Sequence, residues 1–277
     1  MGAMHRGEGV EIRPARVFLL YLIVYFFTLL AAYLLLRKQE PYLQSALLIP
    51  VWTALECVLF LVVAAATPQL RRMTLSVRAK PAAPPPPSDV LLAWAVMFGW
   101  GLGLSRLLFH LPFVLADPAS APRFGIGIPA DVDYGTLFFA AISAGILAPL
   151  VEELVFRGFL QNLWIARHGT WRGLLLASLA FGIVHRTQAP FAFVMGIVLG
   201  LVYIKYRSLA LCMLLHGVYN LTSRFSPLHV PFLEKPASDV ANFAGWVPEI
   251  ALSIVLVPLA VLFWRRFKPI GIPPARG

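Results

Sequence analysis

Apolar residues run along this chain in long blocks broken by short polar stretches, with no polar stripe repeating inside the blocks as it would on the helices of a soluble domain. Eight blocks stand out, at about 17–36, 43–66, 90–109, 135–164, 172–187, 190–205, 208–222 and 247–264. Each is predicted to be a membrane-spanning helix, because a hydrocarbon core about 30 Å thick is crossed by roughly 20 apolar residues at 1.5 Å each. Val and Ile are frequent, yet no ten-residue alternation punctuated by turns marks a β-barrel. The predicted fold is all-α, a polytopic transmembrane bundle of about eight spans.

The polar stretches divide the chain. Between the second and third blocks lie Arg71, Arg72, Arg78, Lys80 and the run P-A-A-P-P-P-P, which favours an extended conformation and cannot continue a helix. This gives a two-span N-terminal segment (1–66), a basic Pro-rich cytoplasmic linker (67–89), a membrane core (90–264) and a cytoplasmic tail (265–277). The first block follows Arg13 and Arg16 but is longer than a signal-peptide core, so it is read as a span. No lipidation signal is visible at either end.

Composition agrees with the pattern. Of 277 residues, 59% are hydrophobic and 13% charged, and mean hydropathy is +0.78. The net charge of +10 sits in short clusters between apolar blocks, which suits a lipid surface and argues against a nucleic-acid partner. With the N-terminus inside, sixteen Lys and Arg fall on the inner side and six on the outer, so both termini are predicted cytoplasmic. Cys57 and Cys212 lie within apolar blocks without metal or disulfide spacing and are read as core thiols.

Ionisable side chains inside spans are costly and normally face the bundle interior for a reason. Glu152 and Glu153 end an apolar run in E-E-L-V-F-R-G, and Arg157 follows Glu153 at the (i, i+4) spacing of an ion pair. Glu152 points about 100° away from that pair. His185 follows Phe181 by one turn in F-G-I-V-H, and Asn220 follows His216 likewise in H-G-V-Y-N. Measured from the predicted hairpin turn, Glu152 and His185 lie at matching depths of roughly 18–20 Å, with His216 and Asn220 close to the same layer. Elsewhere, Glu56 is a mid-span carboxylate outside these motifs. Arg106, near its span's outer end, is read as snorkelling to the interface, and Tyr203, Lys205 and Tyr206 as an interfacial anchor.

In this order on successive helices, E-E-x-x-x-R, F-x-x-x-H and H-x-x-x-N resemble the signatures of the CAAX protease and bacteriocin-processing family, which includes the type II CAAX prenyl endopeptidases. The resemblance covers about Tyr134 to Thr222. It implies an intramembrane endopeptidase in which Glu152 activates water with His185, His216 and Asn220 hold the oxyanion, and Glu153 and Arg157 support the site. Elementary chemistry agrees: amide hydrolysis needs a general base and aimed donors for the developing alkoxide. The resemblance implies no metal cofactor; zinc is the alternative, disfavoured because H-E-x-x-H is absent. It further implies a membrane-anchored or lipidated protein or peptide as substrate, and the setting expected is the cytoplasmic (inner) membrane of a bacterium.

Two other classes fit the same features less well. A transporter would use polar groups at one depth, but inverted repeats are not evident. A catalytically silent scaffold would be expected to lack Glu152 or His185, and both are present. Ser143, in A-I-S-A-G, lacks the first glycine of a serine-nucleophile elbow.

Overall fold

The computed structural model describes residues 13–39, 41–77, 84–112, 133–185, 188–225 and 246–269, all of them helix or connecting turn. The helices are α1 (Pro14–Leu36), α2 (Pro41–Ala66), α3 (Pro68–Val77), α4 (Pro87–Leu108), α5 (Tyr134–His168), α6 (Thr170–Val184), α7 (Ala189–Tyr206), α8 (Leu209–Phe225) and α9 (Val247–Phe267). Every apolar block of the sequence is a helix. Among the described residues six are long and apolar enough to cross a membrane, and α6 and α8 are shorter apolar helices, against the expectation of about eight spans.

The surface is inverted relative to a soluble protein. Leu19, Ile23, Phe26, Phe27 and Leu30 of α1 and Ile254, Val255, Val257 and Val261 of α9 are exposed, as a lipid-facing belt requires. The stretch read as linker contains α3, which opens on Pro68 at its first turn and buries Leu70 while Arg71 and Arg72 stay exposed. Pro84 to Pro86 are not helical and Pro87 opens α4. Arg78, Lys80 and residues 81–83 of the proline-rich run lie outside the described residues.

α5 is the axis of the bundle. All residues from Leu154 to Gln161 are buried, and they are enclosed by aromatic contacts from several helices. Tyr21 of α1 and Phe181 of α6 meet Phe156 edge-on at 5.3 and 5.1 Å between ring centroids. Phe60 of α2 lies 6.4 Å from Phe159. The α1–α2 hairpin therefore shares one core with the motif-bearing helices. Asp133 caps the start of α5, accepting from the amide and the hydroxyl of Thr136 at 3.0 and 2.6 Å. These bonds hold its carboxyl below the usual carboxylate range.

One interfacial reading is corrected. Arg106 is buried and pairs with Glu249 of α9 at 3.6 Å instead of snorkelling; a partner inside the bundle offsets the cost of burying its charge. At the end of α7, Lys205 and Tyr206 both reach Asp89 at the start of α4, at 2.6 and 2.5 Å, and Arg266 of α9 reaches it at 2.8 Å. Tyr203 is buried, its hydroxyl accepting from Asn162 at 2.9 Å. Stacking of Trp171 on Trp264, with centroids 5.4 Å apart, joins α6 and α9 at the same end. Cys57 and Cys212 are buried free thiols.

Candidate active site

The site is built where α5, α6 and α8 meet. α5 turns into α6 through Gly169 alone, whose φ of +82° is a backbone conformation that glycine adopts without steric penalty. Glu152 and His185 are almost equally distant in sequence from that turn, so the hairpin brings them to one level. α6, with 15 residues, is about 22 Å long. It stops at Val184, inside the thickness of a hydrocarbon core of about 30 Å.

His185 follows immediately, at the helix C-cap. A helix ending away from water must satisfy its last carbonyls. His185 does this for Phe181, its Nδ1 lying 2.7 Å from the carbonyl oxygen. The Tyr25 hydroxyl of α1 does it for Val184 at 3.2 Å. Because a carbonyl only accepts, Nδ1 of His185 carries the proton, and in the neutral ring Nε2 is the acceptor.

Nε2 of His185 faces Glu152, 3.7 Å from its Oε2, and Nε2 of His216 lies 3.8 Å from the same oxygen. Both separations exceed direct hydrogen bonding. Glu152 and His185 keep 17% and 25% of their side chains exposed, while Oε2 of Glu152, the oxygen that both rings face, is itself enclosed. Behind them, Glu153 is fully enclosed. One of its oxygens, Oε1, accepts from Nη1 of Arg157 and from Nδ1 of His216, both at 2.8 Å. Arg157 also reaches the Gly196 carbonyl at 3.5 Å and stacks its guanidinium 4.4 Å above the Phe181 ring. The two adjacent glutamates thus have different surroundings: Glu152 is partly exposed and Glu153 is locked between Arg157 and His216.

α8 can lie this close because Gly217 meets the backbone of Gly145, where an added Cβ would stand 2.1 Å from the carbonyl oxygen. Asn220, one turn beyond His216, donates to the Ala144 carbonyl at 2.9 Å. The reason is local. α5 widens into i→i+5 turns over Ser143–Leu147, with the Ala148 amide bonded to the Ser143 carbonyl. The next donor in that register, for Ala144, would be Pro149, which has no N–H. Asn220 supplies the missing donor and keeps a second N–H.

The structure therefore brings Glu152, Glu153, Arg157, His185 and His216 into one cluster and seats Asn220 on α5 beside it. Sequence reasoning missed the Glu153–His216 bond and the capping role of Tyr25. Neither had a local signal, since both partners are far apart in the chain. Among the described residues, no three His, Cys, Asp or Glu side chains are grouped to hold a metal ion.

Comparison with known proteins places this geometry. An uncharacterized 24.3 kDa protein of Escherichia coli is 28% identical over 126 residues, covering 42% of this chain. The chain spans 58% of the length of that curated relative. No solved structure matches. The family model described as type II CAAX prenyl endopeptidase Rce1-like matches residues 134–222, the stretch that holds all the motifs above. Over those residues the chain is similar to the Rce1-like type II CAAX prenyl endopeptidases.

Proposed function

We propose that this protein is an intramembrane endopeptidase in which Glu152 activates water for attack on a peptide bond. The observation that carries the reading is the convergence of Nε2 of His185 and Nε2 of His216 on one oxygen of Glu152, at 3.7 and 3.8 Å, with Glu153 and Arg157 locked behind. A water held between Glu152 and His185 would give one proton to the carboxylate as its oxygen attacks the carbonyl carbon. The alkoxide so formed is met by N–H donors at Asn220 and at His216, whose ring is held through Nδ1 by Glu153. Transfer of the proton to the leaving nitrogen then breaks the C–N bond and frees an amine and a carboxylate.

The substrate proposed is a membrane-anchored or lipidated protein or peptide cut near the bilayer, in the cytoplasmic (inner) membrane of a bacterium. The bundle end that carries Asp89, Lys205 and Arg266 is assigned to the cytoplasm, because basic flanks resist translocation. Glu152→Gln preserves shape and removes the base. Membranes carrying this variant should accumulate precursors that the wild type processes, and retention of more than a few per cent of activity ends the assignment. Activity should also survive exhaustive chelation; loss reversed by zinc would recast Glu152, His185 and His216 as ligands.

A further inference from the structure

The main core of the bundle lies to one side of the site. Its members run from Val17 to Tyr25 on α1, from Cys57 to Ala64 on α2 and from Val151 to Leu160 on α5, although α1 continues to Leu36, α2 begins at Pro41 and α5 at Tyr134. These stretches lie at the level of Glu152 or between it and the end that carries Asp89. Beyond that level the described residues form a separate small cluster around Trp246, with Leu107 and Ile250. The site also has a floor on the Asp89 side. Phe181 is fully buried one turn before His185, its ring centroid 4.4 and 5.9 Å from the rings of His185 and His216. Phe156 meets it edge-on at 5.1 Å, and the Arg157 guanidinium covers it at 4.4 Å. From Phe181 back to Trp171, about 15 Å of helix, α6 and α7 pack backbone to backbone. A Cβ on Gly196 would stand 2.9 Å from Cα of Ser178, and one on Gly200 would overlap Leu174. Gln161 of α5, itself buried, donates to the Gly200 carbonyl at 3.1 Å.

A polypeptide does not pass through helices packed at interior density. Glu152 and His185 nevertheless keep 17% and 25% of their side chains exposed, and with Phe181 beneath them that exposure faces away from the Asp89 end. Charge decides which face of the membrane this is. Among the described residues, the exposed cations at the Asp89 end include Arg16, Arg72, Arg167, Arg172, Arg207 and Arg265, whereas those at the other end are Arg37 and Lys38. Basic flanks mark the cytoplasmic side. We propose that the scissile peptide reaches Glu152 from the non-cytoplasmic half of the bundle, and that the substrate is a membrane-anchored protein cut on that side rather than a chain lipidated at a cytoplasmic terminus. The inference rests on the reading of Glu152 as the base, but the direction of access can be measured without any cleavage assay.

The test is labelling of the full chain by a membrane-impermeant maleimide, in spheroplasts and in inverted membrane vesicles of a bacterial host. The wild type, whose two cysteines are buried, is the unlabelled control. Arg167→Cys marks the exposed turn between α5 and α6. Gln188→Cys marks the site, because Gln188 is half-buried and its amide donates to the His185 carbonyl at 3.0 Å. Gln188→Cys should label in spheroplasts and lose that labelling in inverted vesicles, and Arg167→Cys should do the opposite. Labelling of Gln188→Cys in inverted vesicles alone, or in neither preparation, overturns the proposal. Precursors that persist in membranes carrying Glu152→Gln then locate the bond by mass spectrometry. The position cut by the wild type should fall in a segment that an impermeant protease reaches in spheroplasts; cuts in segments reached only in inverted vesicles also overturn the proposal. If the labelling is as expected and no precursor accumulates, the direction of access stands and the protease reading falls.

Discussion

Among the described residues are two clusters in which a carboxylate sits among basic side chains, one at the centre of the bundle and one at its edge. At the centre, Glu153 holds Arg157 and His216 with side chains 0%, 2% and 3% exposed. At the edge, Asp89 holds Lys205 and Arg266, which remain 34% and 41% exposed. The contact distances are similar, at 2.6 to 2.8 Å, so geometry alone does not separate them. Hydration does. The inner charges depend wholly on protein groups, including the Phe181 ring and the Gly196 carbonyl, and removal of one strands the others. The outer charges can return to water. The inner cluster is a rigid frame for Glu152, and the outer one a seam that closes the ends of α4, α7 and α9.

This contrast is open to direct attack. Glu153→Gln strands Arg157 and should destabilise the protein by about 3–5 kcal/mol, read as a thermal unfolding shift in bilayers or detergent. Glu152→Gln, at the open edge of the same site, should shift it far less. Equal shifts would show that the centre is no more tightly locked than its margin. Asn220→Ala removes the donor to the Ala144 carbonyl and should cost about 1–3 kcal/mol. It should also slow cleavage about 10²–10³-fold with little change in KM; a rise in KM alone would make Asn220 a substrate-binding group. The smallest effect is expected at the edge. Asp89→Asn should cost about 1 kcal/mol and lose most of that in high salt, and a salt-independent loss would place Asp89 with the inner cluster.

Most of the bundle was legible in the sequence because a bilayer imposes length and continuity on any helix within it. The site residues were legible where partners share a helix, as Glu153 and Arg157 do at (i, i+4). Pairs on different helices left no such trace. Arg106 and Glu249, Asp89 and Arg266, Glu153 and His216, and Tyr25 and the Val184 carbonyl are joined only by the packing of the bundle. α3 escaped because its ten residues are too short and too basic for a span, although Pro68 marks its start. The position of Asn220 turned on Pro149, whose missing N–H matters only once α5 widens at Ser143–Leu147.

The shortness of α6 and α8 bears on how the protein is made. A helix of 15 residues, or one of 17 carrying His216 and Asn220, is a poor candidate for leaving the translocon into lipid by itself. Their polar groups find partners on α5, whose own Glu153 and Arg157 need company in the bilayer just as much. Membrane integration of these three segments is therefore expected to be a joint event. The cell obtains a seated α6 and α8 only by assembling the cluster that would do the chemistry.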